Sequence, residues 1–196
     1  MATRGAGRLR LASESRTTPL VPSGVMGMLL FVASETMLFA GLISAFTIIR
    51  SSALVWPPPD QPRLPVGETA FNTAALLASG VCLYLAGRGL ARSREGARRP
   101  LLAAMLLGAF FVVFQGVEWL ALIREGLTLT SSNLGSFFYL IVGLHALHAV
   151  AALGVLVYVW LRLQRGWLAQ SQLATAQVFW YFVVGLWPVL YGVVYL

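Results

Sequence analysis

The chain has 196 residues, of which 58% are hydrophobic and only 11% charged, and its mean hydropathy is +0.78. Soluble domains carry about 25% charged residues, so a water-soluble globular domain is excluded. At about 20 residues per membrane crossing, the length accommodates five transmembrane helices and no extramembrane catalytic domain. The net charge of +7 comes from 14 arginines against 7 acids, with no lysine. A basic pI near 10.5 points to nucleic acid in a soluble protein; here the arginines cluster at the ends of apolar segments, where membrane orientation accounts for them, and no nucleic-acid partner is expected. Cys82 is the only cysteine, which excludes an internal disulfide and any CxxC metal or haem motif.

Residues 1–24 are polar and basic (Arg4, Arg8, Arg10, Arg16) with one acid, Glu14, and close on Pro19 and Pro22. They are expected to form a cytoplasmic tail, with 25–196 as the membrane domain. A transit peptide has similar composition, whereas a cleaved secretory signal fits worse because the apolar run that follows is too long for an h-region. Five apolar runs follow, at about Val25 to Ile49, Thr69 to Leu90, Leu101 to Ile123, Leu134 to Leu161 and Leu173 to Leu196. In lipid each backbone amide must be satisfied within its segment, so runs of this length are helices, and the expected fold is an all-α bundle of five transmembrane helices. The segment Trp56-Pro57-Pro58-Pro59-Asp60-Gln61-Pro62-Arg63-Leu64-Pro65 between the first two runs is too rich in proline for a helix and should run extended.

Arginines divide unequally between alternate sides. The tail, the loop with Arg88, Arg92, Arg94, Arg98 and Arg99, and the loop with Arg162 and Arg165 hold eleven, while the other side has Arg50, Arg63 and Arg124. The positive-inside rule then places the N-terminus in the cytoplasm and, after five crossings, Leu196 outside.

A charged side chain at mid-bilayer costs several kcal/mol, so acids within the runs mark candidate sites. Glu35 lies ten residues, roughly 15 Å, into the first run. His148, on the fourth run, lies roughly 20 Å from the cytoplasmic end, with His145 one turn further out. Glu35 and His148 thus sit at similar depths, within reach of a hydrogen bond across a helix interface. Glu35 is either a proton-relay carboxyl or a buried acid that fixes helix register. The two histidines are a structural pair rather than a metal or haem site, since no Asp, Glu or Cys nearby on that run completes a ligand set.

On the third run Gln115 and Glu118 share a face, with Glu118 roughly 8 Å from the outer surface, and Asn72 reaches a similar depth from the second run. The three are expected to form an interhelical polar cluster, glue rather than catalyst. Gly41 with Ala45, and Ala149 with Leu153 beside Ala152 and Gly154, offer small surfaces for close helix packing. Trp180, Trp187, Tyr191 and Tyr195 form an aromatic stripe on the fifth run, an interface anchor or a contact for a partner helix, with a kink expected at Pro188.

These polar residues resemble a known pattern, that of subunit III of the haem-copper terminal oxidases. "LFVASETMLFAGLISAF" resembles the family's helix with a carbodiimide-reactive glutamate, which falls on Glu35. "FNTAALLASG" carries Asn72, Thr73, Ser79 and Gly80; "GAFFVVFQGVEW" carries Gln115, Glu118 and Trp119; "GSFFYLIVGLHALHAVAAL" carries Gly135, Ser136, Phe138, His145 and His148. The resemblance runs from about Val25 to the end and is closest to the five-helix bacterial form. One departure stands out, because Tyr181 and Val184 replace a histidine and an aspartate that the family usually has in its last helix.

The resemblance implies a cofactor-free accessory subunit in the bacterial inner membrane, packed on the catalytic subunit I and associated with subunit II, where haem and copper reside. It implies roles in stabilising the catalytic subunit, in proton uptake and in holding phospholipid. Two histidines and one cysteine are too few for two haems and a copper centre. Arg88, Arg92, Arg98 and Arg99 are the candidates for lipid phosphates. A nitric oxide reductase accessory subunit and an independent small transporter or proton channel are the alternatives, the second opposed by the lack of an internal repeat.

Overall fold

A computed structural model of the chain describes residues 21–56 and 62–196. Most of the expected tail and the Pro57 to Gln61 part of the proline-rich segment lie outside these residues. The described chain is helical, without strands: α1 (Ser23–Ser52), α2 (Val66–Arg92), α3 (Arg94–Arg124), α4 (Asn133–Gln164) and α5 (Gln170–Leu190), the last continuing into a π turn, Tyr191–Tyr195. All five are long and apolar enough to cross a membrane, as expected of a multi-pass membrane protein.

The first four helices extend beyond their apolar runs at both ends and α5 starts before its run, because hydropathy marks only the segment inside hydrocarbon whereas a helix continues until its backbone is stopped. The stops are specific. Gly126 (φ 95°) and Gly166 (φ 76°) adopt the left-handed conformation that glycine takes without strain. Each lets the chain turn back on its own helix, with Leu127 N–H donating to the Leu122 carbonyl at 3.0 Å and Trp167 N–H to that of Arg162 at 2.9 Å, a Schellman closure of α3 and α4. At the N-termini, the Ser93 hydroxyl accepts from Gly96 N–H and the Ser132 hydroxyl from Gly135 N–H, both at 3.0 Å, satisfying donors that a helix start leaves free.

These caps correct one expectation. The Arg88 to Arg99 stretch is not a loop: α2 runs to Arg92, α3 starts at Arg94, and Ser93 alone is non-helical between them. The hairpin is that tight because Gly89 and Gly96 let the two backbones touch where any Cβ would collide.

Helices α2 and α3 share the longest contact, α5 packs against α1, α2 and α4, and α1 lies at the edge. Only Phe39 and Phe46 of α1 are buried, against eight residues of α5. The aromatic stripe of α5 is therefore an internal spine and not an interface anchor. Trp180 and Trp187 are fully buried, their indole N–H groups donating to the Ser79 and Thr73 hydroxyls of α2 at 3.0 and 2.8 Å. Gly108 gives the Trp180 ring its room, and Gly80 accommodates Val184, so the valine in place of the family's aspartate is an ordinary packing residue here. Among the described residues none lies within 4 Å of where a Cβ on Gly41 would sit, so the small surface at Gly41 and Ala45 is not used between the helices of this chain. Gly154 is also exposed, although Ala149 and Ala152 are buried. At Pro188 helix α5 continues, and the irregularity appears one turn later as the π turn.

Candidate functional site

Two polar sites lie within the bundle. At the edge, the Glu35 Oε2 of α1 lies 3.1 Å from the His148 Nε2 of α4, with the carboxyl side chain 18% exposed. The distance is that of an ion pair, but Oε2 has no partner in hydrogen-bond alignment. The other ring nitrogen, Nδ1, is 2.7 Å from the Leu144 carbonyl. A carbonyl only accepts, so Nδ1 carries a hydrogen. Attraction between Nε2 and Oε2 then requires one more proton, either on the ring beside a carboxylate or on the carboxyl beside a neutral ring. Phe31, Phe39, Phe179 and Phe182 surround the imidazole at centroid distances of 5.6 to 6.3 Å. This apolar box leaves the glutamate as the polar neighbour that can share that proton.

His145 does not join this site. It is 1% exposed and stacks on Trp187 with ring centroids 5.0 Å apart, and neither ring nitrogen has a partner among the described residues. One helical turn separates the two histidines, and α5 packs on both, but His148 faces Phe31 and Phe39 of α1 whereas His145 faces Phe111 of α3. Among the described residues no group of three His, Cys, Asp or Glu side chains is placed to hold a metal.

The second site joins α2, α3 and the π turn. Glu118, 5% exposed, accepts from the Thr69 hydroxyl at 3.2 Å through Oε2 and from Gln115 Nε2 at 2.8 Å. The same Gln115 amide donates to the Tyr195 hydroxyl at 3.2 Å. Asn72 donates to the Phe111 carbonyl at 3.2 Å and to Gln115 Oε1 at 3.5 Å. The structure thus brings Asn72, Gln115 and Glu118 together, and adds Thr69 and Tyr195, which sequence reasoning left out. Thr69 sits one turn before Asn72 and Thr73 on the same face, a spacing that could have found it. Tyr195 lies 80 residues from Gln115 and arrives through the π turn, a change of helical register that hydropathy does not mark.

The four arginines separate into two places. Arg88 lies over the Tyr84 ring at 5.9 Å and, like Arg92, is exposed on the end of α2. Arg98 and Arg99 line a groove with Pro100, Leu102 and Trp160, where Arg98 donates to Gln164 Oε1 at 2.6 Å and bridges α3 to α4.

Fold and sites together describe a multi-pass helical membrane protein with polar contacts across helix interfaces. The comparison with known proteins is more specific. The family cytochrome c oxidase subunit III matches residues 12–196. The probable cytochrome c oxidase subunit 3 of Nocardia farcinica is 32% identical, over 87% of this chain and 86% of the relative. That of Mycobacterium leprae is 33% identical over 98% of each chain. Cytochrome c oxidase subunit 3 of Rattus norvegicus is 31% identical over 93% of this chain and 73% of the longer rat protein. The chain belongs to the cytochrome c oxidase subunit III family, as the resemblance of its motifs implied. Relatives named as oxidase subunits do not favour the nitric oxide reductase alternative.

Proposed function

We propose that the chain is the cofactor-free accessory subunit of a haem-copper terminal oxidase in the bacterial inner membrane, seated on the catalytic subunit I beside subunit II, where haem and copper are held. The observation that carries this reading is the family match across 12–196. The arginine distribution supports an N-terminal tail, residues 1–24, in the cytoplasm and Leu196 on the periplasmic side of the membrane domain, 25–196. In this orientation Glu35 and His148 lie in mid-membrane at the bundle's edge, where a carboxyl 3.1 Å from an imidazole suits a role in proton uptake by the catalytic subunit. The groove with Arg98, Arg99 and Trp160 fits a phospholipid headgroup, with guanidinium donors for the phosphate and an aromatic ring at the interface. Arg88 and Arg92 lie on the same side and add to the attraction for anionic lipid.

Purification of the N-terminally tagged chain from native membranes in mild detergent tests the reading. The expected result is a haem-containing complex that reduces oxygen, its large membrane subunit identified by mass. A b-type complex that consumes nitric oxide, or a colourless single polypeptide, overturns the assignment. Within such a complex, Glu35→Gln is expected to leave assembly intact and to hasten inactivation during repeated turnover. Wild-type behaviour over many turnovers removes the proton-uptake role.

A further inference from the structure

Helix α1 has only two buried residues, yet its end makes a direct polar link to the farthest part of the chain. Arg50 donates from Nη1 to the Val193 carbonyl at 3.0 Å and from Nη2 to that of Leu196 at 3.2 Å. The physical reason is the parallel run of α1 and α5. Gly24 lies against Thr175 at one end and Arg50 meets the π turn at the other, so two helix C-terminal ends converge. The end of α5 presents oxygens without a helical partner and the negative end of a helix dipole, and a guanidinium in the last turn of α1 donates to two of them.

The turn it holds is unusual. A π turn is rare and is kept where its surroundings support it. Residues advance by about 100° each in an α-helix of 3.6 residues per turn and by less in the wider π turn, so α-helical continuation past Leu190 would carry Tyr195 round and away from Gln115. In the π register Tyr195 is 7% exposed, against Phe138 and Trp187. Its hydroxyl accepts from the Gln115 amide that also bonds Glu118. A second tie, from the Tyr191 hydroxyl to the Val66 carbonyl at 3.0 Å, fastens the turn to the start of α2.

We infer that Arg50 is a positioning residue for the Glu118 cluster: from α1 it pins the π turn so that Tyr195 closes the cluster, and it thereby couples the helix that carries Glu35 to the one that carries Glu118. The inference does not depend on which complex the chain joins.

A hydrophobic carbodiimide, which adds to carboxylic acids reached through lipid, reads this out. The full chain in its native membranes is treated with the reagent, and mass spectrometry quantifies the adducts at Glu118 and Glu35. Loss of the charged hydrogen bonds in Arg50→Gln is expected to free Tyr195 and raise labelling of Glu118 roughly tenfold, with Glu35 unchanged as the internal standard. Arg50→Lys keeps one charged donor near the carbonyls and is expected to give a smaller rise at Glu118 alone. Unchanged Glu118 labelling in these variants, or an equal rise at Glu118 and Glu35, overturns the inference. If the glutamine variant does not accumulate, the lysine variant decides by the same comparison.

Discussion

Glu35 and Glu118 are both carboxyls inside membrane helices, and their surroundings differ in nearly every respect. Glu118 is enclosed by α2, α3 and the π turn, with hydroxyl and amide donors on its oxygens. Glu35 sits at the bundle's edge facing His148, at ion-pair distance and out of hydrogen-bond alignment. A carboxyl that accepts hydrogen bonds inside the bundle holds its neighbours in place, because moving it strands the Gln115 donor. A carboxyl out of hydrogen-bond alignment with the imidazole it faces can move at little structural cost. The difference supports glue for Glu118 and a dynamic role for Glu35.

The contrast can be broken or sharpened by substitution, read as stability against denaturing detergent. Trp187→Ala should have the largest effect, about 3–5 kcal/mol, since the ring is fully buried, stacks on His145 and bonds Thr73. Glu118→Ala should cost about 1–3 kcal/mol, because one Gln115 N–H is left without an acceptor in an apolar interior while the Thr69 hydroxyl keeps the Pro65 carbonyl at 2.8 Å; Glu118→Gln, which keeps an acceptor oxygen, should recover more than half. Tyr195→Phe removes one hydroxyl and should cost about 0.5–1.5 kcal/mol. Glu35→Gln should be smallest, below about 0.5 kcal/mol, since no aligned hydrogen bond is lost and the amide keeps the shape of the side chain. A Glu35→Gln cost as large as that of Glu118→Ala would erase the distinction and make both acids structural.

Much of the fold was legible because the membrane simplifies the problem. An apolar run of sufficient length has a single backbone solution in lipid, so five helices followed from five runs. The depth arithmetic that put Glu35 level with His148, and Asn72 with Gln115 and Glu118, worked because rise per residue is fixed in a helix. Rotation about the helix axis is where reasoning from spacing ran out. Trp180 and Trp187 have the spacing of a lipid-facing stripe as much as that of a core, and only packing against α2 assigned them to the interior. His145 and His148 share a face by spacing, yet different partners claim them. Gly41 with Ala45 looked like a contact surface and faces open space, whereas Gly89, Gly96 and Gly108 make the close approaches.

Composition, hydropathy and local motifs act within one segment at a time, and they were enough for the class of protein, the number of its helices, its family and the places of Glu35 and Glu118 along them. Packing between segments set which side chains meet: Trp187 with His145 and Thr73, Arg98 with Gln164, Arg50 with Val193 and Leu196, and Tyr195 with Gln115. The physical reason is that a helix in lipid fulfils its own backbone hydrogen bonds and leaves its orientation free, so side-chain packing and a few interhelical hydrogen bonds set the rotation of each helix against its neighbours.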